Sequence, residues 1–372
     1  MQKELVSIDV KPGAAMETQS GLANQWPRIY GAIVRAATKR AAVVVMHPSS
    51  NFMGHYLLEP LAAAGIAALG LNSRFLGNDS QLIMERVIQD LGAGVRWLKS
   101  QGYERVYLLG NSGGAALMAF YQAQAEKLTL TQTPAGDRID IAPGDLPPVD
   151  GIILTAAHPG RSRFFSEWLD PSIIDERDPF SADPALDMFN PANGPPFDKD
   201  WLARYRCGQR ERNEKIERWA RSQLAYVRSL PHGVSDMAFI IYRTGADPRH
   251  LDPSLDPNER PAGSIWGDPR QLNYGANNIG RYTTLTSYLS QWAPSSRADG
   301  PENLARTRCA ILSIEHTADA SVVPAMNRLW RDAARGRVTL HELKGGNHYL
   351  SGQPEKVAES VAMISAWVGS QP

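Results

Sequence analysis

Short, wholly apolar runs alternate along this chain with segments whose apolar residues return every three or four positions. Ala41–Met46 (AAVVVM) is apolar throughout, the pattern of a strand buried on both faces of a sheet. Leu57, Leu58, Leu61 and Ala64 follow at helical spacing and stop at Gly65, a residue suited to the left-handed close of a helix. Ile66–Leu71 is another strand, and Ile83, Val87, Leu91, Val95 and Leu98 mark an amphipathic helix. Arg105–Leu109 and Gly151–Ala156 are strands on either side of a small-residue helix, Gly114–Gln124, and Tyr30–Ala36 reads as a strand ahead of the series. Strand–helix–strand at this cadence requires right-handed crossovers. It predicts an α/β fold: a mostly parallel sheet of about eight strands with helices on both faces.

The cadence stops near Gly160. Up to Arg306 the chain is rich in Pro, Asp and Arg, with aromatics scattered through it (Phe164, Phe165, Trp168, Phe189, Trp201, Trp266, Tyr274, Trp292). Within it, Trp201–Leu230 predicts a long polar helix. Its charge run Arg210–Arg221 is a solvated face with pairs such as Glu214–Arg218. Met237–Tyr242 predicts one more strand. The rhythm resumes with the strand Cys309–Ile314, a helix around Pro324–Ala334, the strand Val338–Leu343 and a last helix carrying Val357, Val361, Ile364 and Val368. The expected organisation is a core of residues 1–159 and 306–372, split by a mainly helical insertion, 160–305, lying over the sheet's carboxyl edge.

Charge narrows the function classes. Lys and Arg number 39 and Asp and Glu 39, so the formal net charge is zero and a basic nucleic-acid-binding surface is not expected. No apolar run nears the ~18 residues of a membrane span, and Met1–Lys11 has no apolar signal core, so the expected compartment is the cytoplasm. Cys207 and Cys309 are too few for a disulfide framework. Asp247, His250, Asp252 and Asp256 crowd one stretch, but at the spacing of neither an EF-hand nor an HExxH helix. No metal or cofactor is expected. The expected partner is a small-molecule substrate, with a homodimer left open.

The sharpest local signal is Gly110-Asn111-Ser112-Gly113-Gly114, directly after a strand and directly before a helix. In that setting a serine sits on a tight, strained turn that lifts its hydroxyl clear of the sheet, and glycines two positions away relieve crowding. Gly113 then brings its N–H to the positive start of a helix. A glycine-rich phosphate loop is the competing reading, but it needs G-x-G-x-x-G after an early strand. A serine hydroxyl needs a base, itself oriented by an acid. Of eight histidines, His348 alone lies in a glycine-rich loop, Lys344–His348, between the last strand and last helix. The acid belongs after the preceding strand. There Asp319 is favoured at the turn's apex and Glu315 held in reserve; a helix cap is the ordinary alternative for Asp319.

The serine turn, the order Ser112…Asp319…His348 and the strands bracketing them resemble the α/β-hydrolase superfamily over about Tyr30–Pro159 and Arg306–Val368. The resemblance implies a serine hydrolase, with a carboxylic-ester hydrolase as the expected activity. It also implies an oxyanion hole from the Gly113 N–H and an amide of the loop after the strand Ala41–Met46. That loop reads His47-Pro48-Ser49-Ser50, where the family often has His-Gly. Proline has no N–H, so Ser49 is the expected donor, with Ser50 the alternative and His47 a residue that fixes the loop. Ser50, His158, Arg161, Trp168 and Trp266 are candidate substrate-binding residues. Arg161 and Arg163 could meet a substrate carboxylate or simply be surface cations. Hydrolysis of a diketone carbon–carbon bond, or of an amide or lactone, would use the same three residues; a non-catalytic binding protein on this fold is the reading from another class.

Overall fold

The computed structural model describes residues 2–12 and 27–371. Eight strands form the central sheet: β1 (Lys3–Asp9), β2 (Arg28–Val34), β3 (Ala41–Met46), β4 (Ala67–Leu71), β5 (Arg105–Asn111), β6 (Gly151–Thr155), β11 (Ala310–His316) and β12 (Val338–Leu343). They lie in the order β1-β2-β4-β3-β5-β6-β11-β12. Every pairing from β4 to β12 is parallel, and β1 and β2 add an antiparallel edge. The strand expected at Tyr30–Ala36 therefore starts earlier, at Arg28. β1 has no counterpart in the sequence reading, because an exposed edge strand that buries only Ile8 carries no apolar run.

The apolar runs face both ways. Ala42, Val44 and Met46 of β3 pack on the side covered by α2 (Met84–Ser100), α3 (Gly114–Glu126) and α9 (Pro324–Ala334). Val43 and Val45 pack on the side of α1 (Leu58–Ala63) and α10 (Pro354–Ser370). Alternate side chains point to opposite faces of a strand, so a strand sandwiched between helix layers has to be apolar at each position. The chain leaves β3 for β4 on one side and returns to β5 on the other. This reversal opens a crevice between the carboxyl ends of β3 and β5, the place where sheets of this kind gather functional groups.

Between β6 and β11 the chain builds α4 (Arg161–Trp168), the hairpin β7 (Ile173–Asp175) and β8 (Asp178–Ala182), α5 (Lys199–Ser229), α6 (Pro269–Tyr274), α7 (Leu285–Gln291) and α8 (Gly300–Leu304). The side chain of Asp198 caps α5 by accepting the N–H groups of Asp200 and Trp201. One face of α5, with Ile216, Ala220 and Leu224, packs on Leu285, Tyr288 and Leu289 of α7. The strand expected at Met237–Tyr242 forms as β9 (Ala238–Ile240), but it pairs with β10 (Tyr282–Thr284) in a ribbon of its own. The central sheet has no opening for it there, since β6 and β11 pair with each other. Arg243 pairs with Asp170 at 2.5 Å with both side chains buried, and Asp247 accepts from Arg206 and Arg249 at 2.7 and 2.5 Å. Departure and return are tied together: the Gly300 N–H donates to the Pro159 carbonyl at 2.7 Å. Among the described residues no helix is long and apolar enough to cross a membrane.

Candidate active site

β5 ends at Asn111 and α3 begins at Gly114, so Ser112 and Gly113 make the whole reversal from strand to helix. Ser112 holds φ +54°, the left-handed region that a side chain disfavours. The flanking glycines are sterically required. A Cβ at Gly110 would lie 2.5 Å from Ala115 Cα, and one at Gly114 2.4 Å from the Met46 carbonyl oxygen. The turn is anchored to β6 and its exit: the Ser112 N–H donates to Thr155 at 3.2 Å, and the His158 N–H donates to the Ser112 carbonyl at 3.1 Å.

His348, in the loop after β12, places Nε2 3.0 Å from Ser112 Oγ and Nδ1 2.8 Å from Asp319 Oδ2. Both residues are buried. The other Asp319 oxygen accepts the N–H groups of Ser321 and Val322 at 2.7 and 2.9 Å. Asp319 is thus a turn cap and a partner of His348 at once, and the two readings of it were not exclusive. Burial by itself would raise the Asp319 carboxyl. The neighbouring His348 and the three hydrogen bonds outweigh burial and hold it below the ordinary carboxylate range. Glu315 is turned away toward Arg331, 3.5 Å distant.

Two further histidines brace this group. His316, the last residue of β11, bridges Thr155 Oγ1 (3.0 Å) and the Asn347 carbonyl (2.9 Å), fixing the loop that carries His348 to β6. His158 meets Ser321 Oγ at 2.8 Å and lies edge-on to the His348 ring. Burial first, and then His348 beside it, push His158 down to about 3.

A cavity of about 500 Å³ opens over Ser112, lined among others by Ser49, Ser50, Gly113, His158, Arg161 and Trp266. A second, of about 300 Å³, reaches Ser112 from the side of His55 and Tyr56. Three expectations need correction. Trp168 does not line the larger cavity: it is buried behind Phe164 (4.2 Å) and Trp266 (5.1 Å), which do. Arg161 reaches the cavity but is no free cation, being bonded to Asp79 and Gln291, to Ser49 Oγ at 3.1 Å, and stacked on Trp292. Arg163 lies away from the cavity and pairs with Asp299. The Ser49 amide also differs from expectation. Its N–H donates to His47 Nδ1 at 3.3 Å, and the Ser50 N–H joins it at 3.0 Å.

The sequence reading missed Phe164, Asn277, Asn278, Ile279 and Tyr349 as cavity residues. Tyr349 is signalled by its place next to His348; the asparagines sit in loops without periodicity. Asp247, Asp252 and Asp256 are occupied structurally, by arginines, by the Ser254 hydroxyl and by the Ala325 N–H respectively. No group of His, Cys, Asp and Glu among the described residues is arranged to hold a metal.

A model of the alpha/beta hydrolase family matches residues 43–360. Among solved structures, the alpha/beta hydrolase GrgF from Penicillium is 11% identical with a TM-score of 0.54, covering 98% of this chain and 99% of its own. The DcsB protein, solved in complex with its substrate analogue, is 13% identical with a TM-score of 0.53, covering 100% and 99%. A hypothetical protein from Pseudomonas aeruginosa is 11% identical with a TM-score of 0.50, covering 100% and 94%. At these identities the likeness is one of fold. No curated protein matches the chain.

Proposed function

This chain belongs to the α/β-hydrolase family, and on that footing we propose that it is a serine hydrolase of carboxylic esters, with Ser112 as nucleophile, His348 as general base and Asp319 as the orienting acid. One observation carries the reading: the hydrogen-bonded series from Asp319 Oδ2 through His348 to Ser112 Oγ, at 2.8 and 3.0 Å. With Nδ1–H donated to Asp319, Nε2 is left as the acceptor for the serine proton. His348 takes that proton as Oγ attacks the acyl carbon. The carbonyl oxygen becomes an oxyanion facing the Gly113 N–H at the amino end of α3. The same proton passes to the leaving alkoxide. Water, deprotonated by His348, then attacks the acyl-enzyme, and collapse returns the proton to Ser112 and releases the acid.

Segment 160–305 acts in this reading as the cap that selects the substrate. What supports it is that Phe164, Trp266, Ile279 and Trp292 all line the cavity over Ser112. An apolar cover excludes water and strengthens hydrogen bonds to the oxyanion.

Incubation with a fluorophosphonate, followed by peptide mass mapping, tests the proposal. The adduct is expected on Ser112 and to vanish in Ser112→Ala; absence of any adduct at Ser112 overturns it. A panel of esters, amides, lactones and diketones then ranks the bonds, with esters expected fastest. Faster cleavage of a diketone would move the assignment to carbon–carbon hydrolysis.

A further inference from the structure

His47 ends the crossover side of the crevice, immediately after β3. Its Nδ1 accepts the backbone N–H groups of Ser49 and Ser50. An amide N–H can only donate, so Nδ1 bears no proton, and the single proton of the neutral ring is on Nε2. Burial first, with Arg161, His158 and His348 nearby, lowers the basicity of this ring well below the ordinary histidine value and keeps it neutral.

Nε2 is also the ring atom that approaches the serine turn. A Cβ on Gly113 would lie 2.8 Å from His47 Nε2, against 3.4 and 3.7 Å from Cδ2 and Cε1. The absent side chain at position 113 is what admits the ring. Nε2 has no hydrogen-bond partner among the described residues, and His47 borders both cavities that reach Ser112. The two amides expected to serve are engaged, since Ser49 and Ser50 donate to the ring, and Pro48 has no N–H.

We infer that the Nε2–H of His47 is the second donor of the oxyanion hole, beside the Gly113 N–H and in place of the Ser49 or Ser50 amide. The inference rests on the serine-hydrolase reading. A neutral imidazole is suited to the task, since it can polarise a carbonyl without being an acid strong enough to give its proton away. It makes His47 a catalytic residue, and the loop hydrogen bonds become the device that fixes its tautomer. The two roles, loop acceptor at Nδ1 and oxyanion donor at Nε2, reside on different atoms and can be separated by substitution.

In His47→Asn the side-chain oxygen takes the position of Nδ1 and can still accept from Ser49 and Ser50, while the donor at Nε2 is lost. In His47→Gln the amide reaches toward the position of Nε2 and supplies an N–H there. For hydrolysis of a p-nitrophenyl ester, His47→Asn is expected to lower kcat/KM by about 10²–10³-fold. It should weaken a trifluoromethyl ketone, which forms a tetrahedral adduct on serine, by a similar factor, with melting temperature and KM held. His47→Gln should recover at least about tenfold of that loss. In the wild-type protein, nitrogen-15 NMR should find the His47 proton on Nε2 and see it move downfield when the ketone binds. A proton on Nδ1, or a folded His47→Asn within about threefold of wild type in both assays, overturns the inference. If the variants do not fold, the wild-type spectrum decides alone. Failure of fluorophosphonate to label wild-type Ser112 would instead remove the serine-hydrolase reading beneath it.

Discussion

The sheet and the segment 160–305 are held together by different means. β3 and β4 contain no charged residue, and their side chains meet helices through apolar contact on both faces. The segment buries Asp170, Arg243, Asp247 and Arg249 in its interior, alongside Asn213 and Gln209. Gln209 donates to three carbonyls, those of Glu167, Leu169 and Ala246. Apolar packing has little directionality and accepts many side chains of the right volume. Buried ion pairs function only when each partner is met in the right geometry. A directional interior suits a region that must hold Trp266, Asn278 and Ile279 at fixed places around a cavity.

The largest expected effect sharpens the contrast, because it puts the chemistry on the apolar-cored side. Ser112→Ala and His348→Ala should each lower kcat by about 10⁴–10⁶-fold with melting temperature within two or three degrees, and the double variant should be little worse. Asp319→Asn should lose about 10⁴-fold and Glu315→Gln under tenfold, since only Asp319 fixes the His348 tautomer. Equal losses at both carboxylates would break the assignment.

Next in size are near-isosteric substitutions read by urea unfolding. Asp170→Asn strands the buried Arg243 guanidinium and should cost about 3–5 kcal/mol. Leu69→Met in β4 should cost under about 1.5 kcal/mol. The reverse ranking would erase the distinction between the two interiors.

Glu85 of α2 tests the seam between them. Its Oε2 accepts the Ser290 hydroxyl of α7 at 2.6 Å, while Oε1 is buried without a partner. Burial, opposed by the Ser290 hydrogen bond, pushes the carboxyl from 4.5 up to about 7. Between those values the folded protein keeps a proton that the unfolded chain has released, so stability falls as pH rises through the window and the penalty is complete above it. Glu85→Gln should therefore stabilise by about 1–3 kcal/mol at pH 8 and by almost nothing near pH 4.5. A gain independent of pH would refute the charge explanation.

The smallest expected effect is selective. Trp266→Ala should change the ratio of kcat/KM between bulky and short acyl esters by about tenfold, with fluorophosphonate labelling of Ser112 within about threefold. Trp168→Ala, one layer behind, should act through stability instead.

Legibility in the sequence follows the same division. Apolar packing writes its period into the chain, so β3 to β6, α2 and the strands around Asp319 and His348 could be read directly, and with them the turn at Ser112. The segment's ion pairs join residues such as Asp170 and Arg243 that are 73 positions apart, and no local pattern announces them. Arg161 looked like a free cation for the same reason, its partner Asp79 lying 82 residues earlier. The bond from the Ser49 amide to His47 could not be read because the direction of an N–H depends on backbone torsions. Residue type records only that the N–H exists.

The tie between Pro159 and Gly300 bears on how such a protein can change over time. β6 and β11 pair directly, from Gly151 opposite Ala310 to Thr155 opposite Ile314, although the long excursion separates them along the chain. The sheet's register is complete without the intervening residues, and the excursion leaves and re-enters through a single gate. A change of length within it need not pass through the pairing of β6 with β11, whose ends meet at the same two points. On the cap reading proposed above, substrate choice can drift on one side of that gate while the strands on the other, which carry the turns of Ser112, Asp319 and His348, keep their pairing.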